Sequence, residues 1–128
     1  MNKKIIITAT IFGVFAVIFG AFGAHSLKGL VATSALDTWA TAVEYQFYHV
    51  FALLFLSTFA RFRNKLIDWS YYCFTTGIIL FSGSLYLLAT REAFHISFVN
   101  YIGPITPLGG LFFIAGWVFL LFAALRHK

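Results

Sequence analysis

Apolar positions run along this chain in four long stretches, at approximately 5–24, 45–60, 71–89 and 107–125, with short polar connections between them. With its flanks, each approaches the ~20 residues that a helix rising 1.5 Å per residue needs to cross ~30 Å of hydrocarbon. A helix satisfies its backbone polar groups within one segment, which is what a bilayer demands. The pattern therefore predicts an all-α membrane protein: a four-transmembrane-helix bundle forming one integral membrane domain over residues 1–128. Its spans are expected near 5–24, 41–60, 70–90 and 107–125. The first stretch exceeds the ~7–15 residues of a secretory signal core and is expected to persist as a span.

Finer features suggest how these helices start and pack. Ala9, Gly13, Ala16, Gly20 and Ala24 make a small-residue stripe on the first helix, and Gly109, Gly116 and Ala123 repeat every seven residues on the fourth. Small residues let neighbouring backbones approach closely. Ser34-Ala35-Leu36-Asp37 reads as a capping box starting helix two, which would then extend about 40 Å, beyond the membrane at its outward end, with Trp39 as an interfacial anchor. Leu36, Ala40, Val43, Phe47, Val50 and Leu54 form one apolar seam on it. Thr106 is expected to cap helix four with Pro107 in its first turn. Gly103-Pro104 breaks any continuous helix upstream, leaving His95 and Asn100 as solvated loop residues.

Composition agrees: 61% of residues are hydrophobic, 20% aromatic and only 10% charged, against ~25% charged in soluble domains. The net charge of +5 arises from basic residues scattered at helix ends, which fits an anionic lipid surface and argues against nucleic acid. In a four-span arrangement Lys3, Lys4, Arg61, Arg63, Lys65, Arg126 and Lys128 fall on one side, and Lys28 and Arg91 on the other. Positive charge marks the cytoplasm, so both termini are expected inside. The single Cys73 lies within the third stretch and reads as an inert thiol.

Polar groups within the spans carry whatever chemistry the chain has. His25 ends helix one; Gln46 and His49 lie on helix two; Ser82 and Ser84 lie on helix three; Thr106 opens helix four. Together they form a candidate polar pocket in the outer half, with Glu44, Tyr45 and Tyr86 at its edge. Ionisable groups in a membrane are costly and point to function, which singles out His49. The plainer reading is that these side chains hydrogen-bond helix to helix, each bond contributing about 0.6–2 kcal/mol. Thr8, Thr10, Ser57, Thr75 and Thr76, in the inner half, are expected to bond back to their own helices.

These residues also carry a resemblance. Gly20-Ala21-Phe22-Gly23-Ala24-His25, Tyr45-Gln46-x-Tyr48-His49, Leu80-Phe81-Ser82-Gly83-Ser84-Leu85-Tyr86 and Gly103-Pro104-Ile105-Thr106-Pro107-Leu108-Gly109-Gly110 occur in that order. The chain resembles the membrane-protein family known as domain of unknown function 423, or uncharacterised protein family 0382, with eukaryotic relatives of the transmembrane protein 256 type. The resemblance implies a small multi-pass protein of the bacterial cell membrane. It adds weight to His25, Gln46, His49, Ser82, Ser84 and Thr106 and implies no reaction; Glu44 lies outside the matching motifs.

Three classes of function fit. The favoured one is a non-enzymatic protein that binds membrane lipid, a small amphiphile or a membrane-protein partner, with homo-oligomerisation through the small-residue stripes as one form. A small transporter or proton-linked carrier using His49 is the alternative. A haem or metal protein using His25 and His49, or Glu44, ranks last. No nucleotide, nucleophile or metal-ligand motif accompanies those residues, so neither an enzyme nor a cofactor is expected.

Overall fold

The computed structural model describes residues 2–59 and 64–127. Helix α1 covers Lys3–Ala24, α2 Thr33–Ser57, α3 Lys65–Gly77, α4 Gly83–Thr90 and α5 Ile105–Arg126. A single π-helical turn, Ile78–Ser82, joins α3 to α4, so that Lys65–Thr90 is one continuous 26-residue helix. A short 3-10 turn, Ser97–Tyr101, precedes α5. The described residues thus form four long helices.

Three of them, Lys3–Ala24, Lys65–Thr90 and Ile105–Arg126, are long and apolar enough to cross a membrane on their own composition. The fourth, α2, is long enough at 25 residues but carries Glu44, Gln46 and His49 along its length. Its position resolves the discrepancy. Nine of its 25 residues are buried, against three of 22 in α1 and four of 22 in α5. α2 shares the interior with the Lys65–Thr90 helix, which buries eleven of its 26 residues, and the protein itself encloses Gln46 and His49.

The helices pack in series rather than as an evenly closed bundle: α1 on α2, α2 on the π turn and α4, and α3 with the π turn on α5. The Asn2 N–H donates to the Ser57 carbonyl at 2.9 Å, placing the start of α1 beside the end of α2. Lys65 and Arg126 line one cavity, placing the start of α3 beside the end of α5. The start of α1, the end of α2, the start of α3 and the end of α5 therefore share one end of the molecule. Lys3, Lys4, Lys65 and Arg126 gather there, while Arg61, Arg63, Lys128 and the expected span end at Ala60 lie outside the described residues.

The two small-residue stripes are where close packing occurs. Ala9 and Ala16 have no exposed surface, and a Cβ on Gly13 or Gly20 would touch Val50 or Val43 at 3.6 or 3.5 Å. On α5, a Cβ at Gly109 would lie 2.4 Å from the Phe81 backbone nitrogen, so α5 meets the π turn backbone to backbone. The inner cluster joins Ile5, Leu53, Leu56, Phe74, Ile78 and Phe113; the outer one joins Leu27, Trp39 and Ala89.

Several local expectations need correction. No side chain caps α2, which begins at Thr33 rather than at Ser34, so the expected capping box is not formed. Trp39 is no interfacial anchor: it is buried, its indole N–H donates to the Phe19 carbonyl at 2.7 Å, and its ring lies against Phe22 and Tyr86. Gly23 leaves room for it, since a Cβ there would fall 2.5 Å from the ring. α5 begins at Ile105, so Thr106 lies inside its first turn and bonds to Ser84 instead of capping. The third helix starts at Lys65, ahead of the expected boundary, because Asn64 accepts from the Leu66 N–H at 3.0 Å. His95 and Asn100 are exposed, as expected.

Candidate functional site

The polar side chains of the spans are distributed over three separate sets of bonds. In the first, Gln46 donates to the Phe12 carbonyl on α1 at 2.7 Å and accepts from the Tyr86 hydroxyl on α4 at 2.6 Å. Gln46 thereby ties three helices. Tyr86, expected at the edge, belongs to its centre, with its ring 4.6 Å from Trp39 and 4.8 Å from Phe19. Buried Ser82, one turn below, donates to the Ala42 carbonyl at 2.8 Å.

The second set joins α4 to α5. The Ser84 and Thr106 hydroxyls lie 2.5 Å apart, and the Ser84 hydroxyl also donates to the Phe81 carbonyl at 2.9 Å. Its donor is thus directed at that carbonyl, and the Thr106 hydroxyl supplies the proton between the two side chains. Ser70 repeats the strategy deeper, donating to the Gly116 carbonyl at 2.8 Å.

His49 forms the third. Its Nδ1 lies 2.7 Å from the Tyr45 carbonyl, which can only accept, and its Nε2 accepts from the Trp117 indole N–H at 3.1 Å. Both contacts are satisfied by one species, the neutral ring carrying its proton on Nδ1. The imidazole stacks on Phe113 with centroids 3.6 Å apart and planes 6° from parallel. Phe74 and Trp117 close two further sides at 5.4 and 6.0 Å. His49 is 4% exposed, whereas Tyr45 and Trp117, which flank it, are 38% and 48% exposed on the outer face. It lies eight residues, about 12 Å along the axis, from the Ser57 end of α2 and sixteen from Thr33, so it sits on the Ser57 side of the helix midpoint and not in the outer half where the sequence placed it.

The remaining candidates stand apart. His25 is an exposed residue at the C-cap of α1 and does not join His49, so the two do not form a ligand pair. Glu44 is exposed and lines, with Asp37, Gly20, Val43 and Lys28, a surface groove between the outer ends of α1 and α2. Among the described residues no group of three or more His, Cys, Asp or Glu side chains is placed to hold a metal. Of the inner-half hydroxyls, Thr8, Thr10 and Ser57 bond back to their own helices, and Thr8 also meets the Tyr71 hydroxyl at 2.7 Å. The buried Thr75 hydroxyl has no hydrogen-bond partner.

Trp117 and Phe113 are the site residues that sequence reasoning missed. α5 is apolar on every side, so no periodicity distinguished its inward face; the signal available was the position of Phe113, one turn from both Gly109 and Gly116, with Trp117 one turn beyond Phe113.

Set against known proteins, residues 19–110 match the family model described as "Protein of unknown function (DUF423)". The chain belongs to this family. It is 37% identical over 124 residues to a UPF0382 membrane protein of Staphylococcus aureus, covering 97% of each chain. It is 38% identical to a UPF0382 membrane protein of Haemophilus influenzae over 128 residues, 100% of this chain and 98% of the relative. YwdK, the UPF0382 membrane protein of Bacillus subtilis, is 35% identical over 127 residues, 98% of each. No solved structure matches. The relatives are named as membrane proteins, in agreement with the apolar helices. The chain is an integral membrane protein.

Proposed function

We propose that this protein spans the cytoplasmic membrane four times with both termini inside, and that its work is binding rather than catalysis or transport. A lipid, a small amphiphile or a membrane-protein partner would dock on the face where Tyr45 and Trp117 flank His49. Four helices of 22, 25, 26 and 22 residues are each about 33–39 Å long, enough for a bilayer core. The basic end they share supports the orientation.

The observation that carries the binding reading is the state of His49. Both ring nitrogens are engaged, one to a backbone carbonyl and one to an indole, in a cage whose two flanking rings are partly open to the surroundings. A proton carrier needs a ring free to exchange, and a ligand to metal needs a free nitrogen; this arrangement favours neither. It offers instead a rigid aromatic surface next to lipid.

Two measurements test the reading. In a Cys73→Ser background, cysteines at Lys28 and His95 should react with an impermeant reagent on intact cells, and one at Lys65 should not; the reverse pattern would overturn the orientation. Protein purified in mild detergent should carry a lipid, amphiphile or partner that is lost in Tyr45→Ala and Trp117→Ala. Retention of the same molecule by both variants would remove this face from consideration.

A further inference from the structure

At the basic end, the start of α3 and the end of α5 enclose a cleft of about 670 Å³, within the size range of ligand pockets. Its floor is apolar, formed by Leu120, Ala123 and Ala124 of α5 and by Trp69 of α3. Its rim carries Lys65 and Arg126. We propose that this cleft holds one anionic phospholipid, its phosphate between Lys65 and Arg126 and an acyl chain along Trp69 and Leu120.

The argument rests on how charge and apolar surface are ordered along the helix axes. Lys65 and Trp69 are four residues apart, on one face of α3 and separated by about 6 Å along it. Leu120 and Arg126 are separated by about 9 Å along α5. Both helices place the cation at the molecule's end and the apolar group toward its middle. A cleft graded in this direction matches a phospholipid standing in its own leaflet, headgroup outermost.

Trp69 strengthens the assignment. Half of its surface is exposed, and its ring packs edge-on against Phe119 at 5.3 Å, the amphipathic setting that tryptophan occupies at a membrane–water boundary. Among the described residues, no carboxylate side chain lines the cleft. Asp68, the one acidic side chain at this end among the described residues, is absent from its lining. Lys4 is engaged elsewhere, donating to the Tyr72 hydroxyl at 2.8 Å. The cleft is distinct from the His49 face, and its depth assignment rests on the membrane-spanning reading above.

The test is a titration of the purified protein in mild detergent with phosphatidylglycerol or phosphatidylcholine of identical chains, followed by native mass spectrometry. One phosphatidylglycerol should bind at least tenfold more tightly than phosphatidylcholine. Lys65→Gln combined with Arg126→Gln should weaken it roughly 30-fold, about fivefold per cation, whereas Lys3→Gln combined with Lys4→Gln should change it by less than about threefold. Ala124→Leu, which fills the floor and leaves every charge in place, should weaken it as well, and it decides the matter if the double glutamine variant fails to fold. Equal affinity for the two lipids, equal loss in the Lys3/Lys4 pair, insensitivity to Ala124→Leu, or full displacement by inorganic phosphate would each overturn the proposal. Because the readout does not depend on sidedness or on Trp117, its failure would leave the topology and the His49 face standing.

Discussion

Replacing Gly109 by alanine should destabilise this protein, and replacing its neighbour Gly110 should not. A Cβ at Gly109 would lie 2.4 Å from the Phe81 nitrogen and 2.8 Å from Phe81 Cα and Cβ. Carbon contacts settle at ~3.5–4.0 Å, so α5 must retreat by about 1 Å. No rotamer change relieves this, because two of the three clashing atoms are backbone. Forced overpacking costs about 1–3 kcal/mol. The retreat also stretches the 2.5 Å Ser84–Thr106 bond, which stands one turn away and contributes about 0.6–1.7 kcal/mol in membrane helices. Alanine's better helix propensity returns at most about 1 kcal/mol, leaving a net loss of about 2 kcal/mol. At Gly110 the nearest atom, Phe81 Cδ2, is 3.8 Å away, an ordinary contact. That variant should be neutral or more stable by up to about 1 kcal/mol. Unfolding by titrated sodium dodecyl sulfate, followed by circular dichroism, measures both. Values for the two variants within about 0.5 kcal/mol of each other would refute the backbone contact between α5 and the π turn.

Two further outcomes follow from the buried polar groups. A double-mutant cycle of Gln46→Ala and Tyr86→Phe in the same assay should give a coupling of about 0.6–2 kcal/mol, since the 2.6 Å bond between them joins α2 to α4; additive effects would contradict it. Thr75→Val should raise stability by about 1 kcal/mol, because it keeps the β-branched shape and removes a buried hydroxyl that has no partner; a loss of stability would mean that the hydroxyl is satisfied.

The sequence disclosed the helices readily, because length and apolar content alone decide what can sit in a bilayer. It also disclosed the packing surfaces of α1 and α5, since only small residues permit a contact such as that of Gly109 with Phe81. It was less informative about α2. There the apolar seam of Leu36, Ala40, Val43, Phe47, Val50 and Leu54 buries only Val50; the more buried face is the stripe containing Trp39, Ala42, Gln46, His49 and Leu53. In water an apolar seam points inward, but in lipid both faces can be apolar, and the polar stripe is the one that must be enclosed.

What the chain determined by itself was therefore composition-driven: which segments are helical, which residues are polar within them, and that these residues meet their neighbours through hydrogen bonds. Only the tertiary structure decided the partners. Gln46 turned out to grip the Phe12 carbonyl and Tyr86, Ser84 to meet Thr106, and His49 to lie between Tyr45, Phe113 and Trp117, while His25 stayed outside. Four side chains, Gln46, Trp39, Ser82 and Ser70, reach across to a backbone carbonyl of another helix, at Phe12, Phe19, Ala42 and Gly116, and every residue has a carbonyl. Sequence patterns register side chains; which carbonyl a donor reaches depends on the rotation and offset of two packed helices, which the three-dimensional arrangement alone sets.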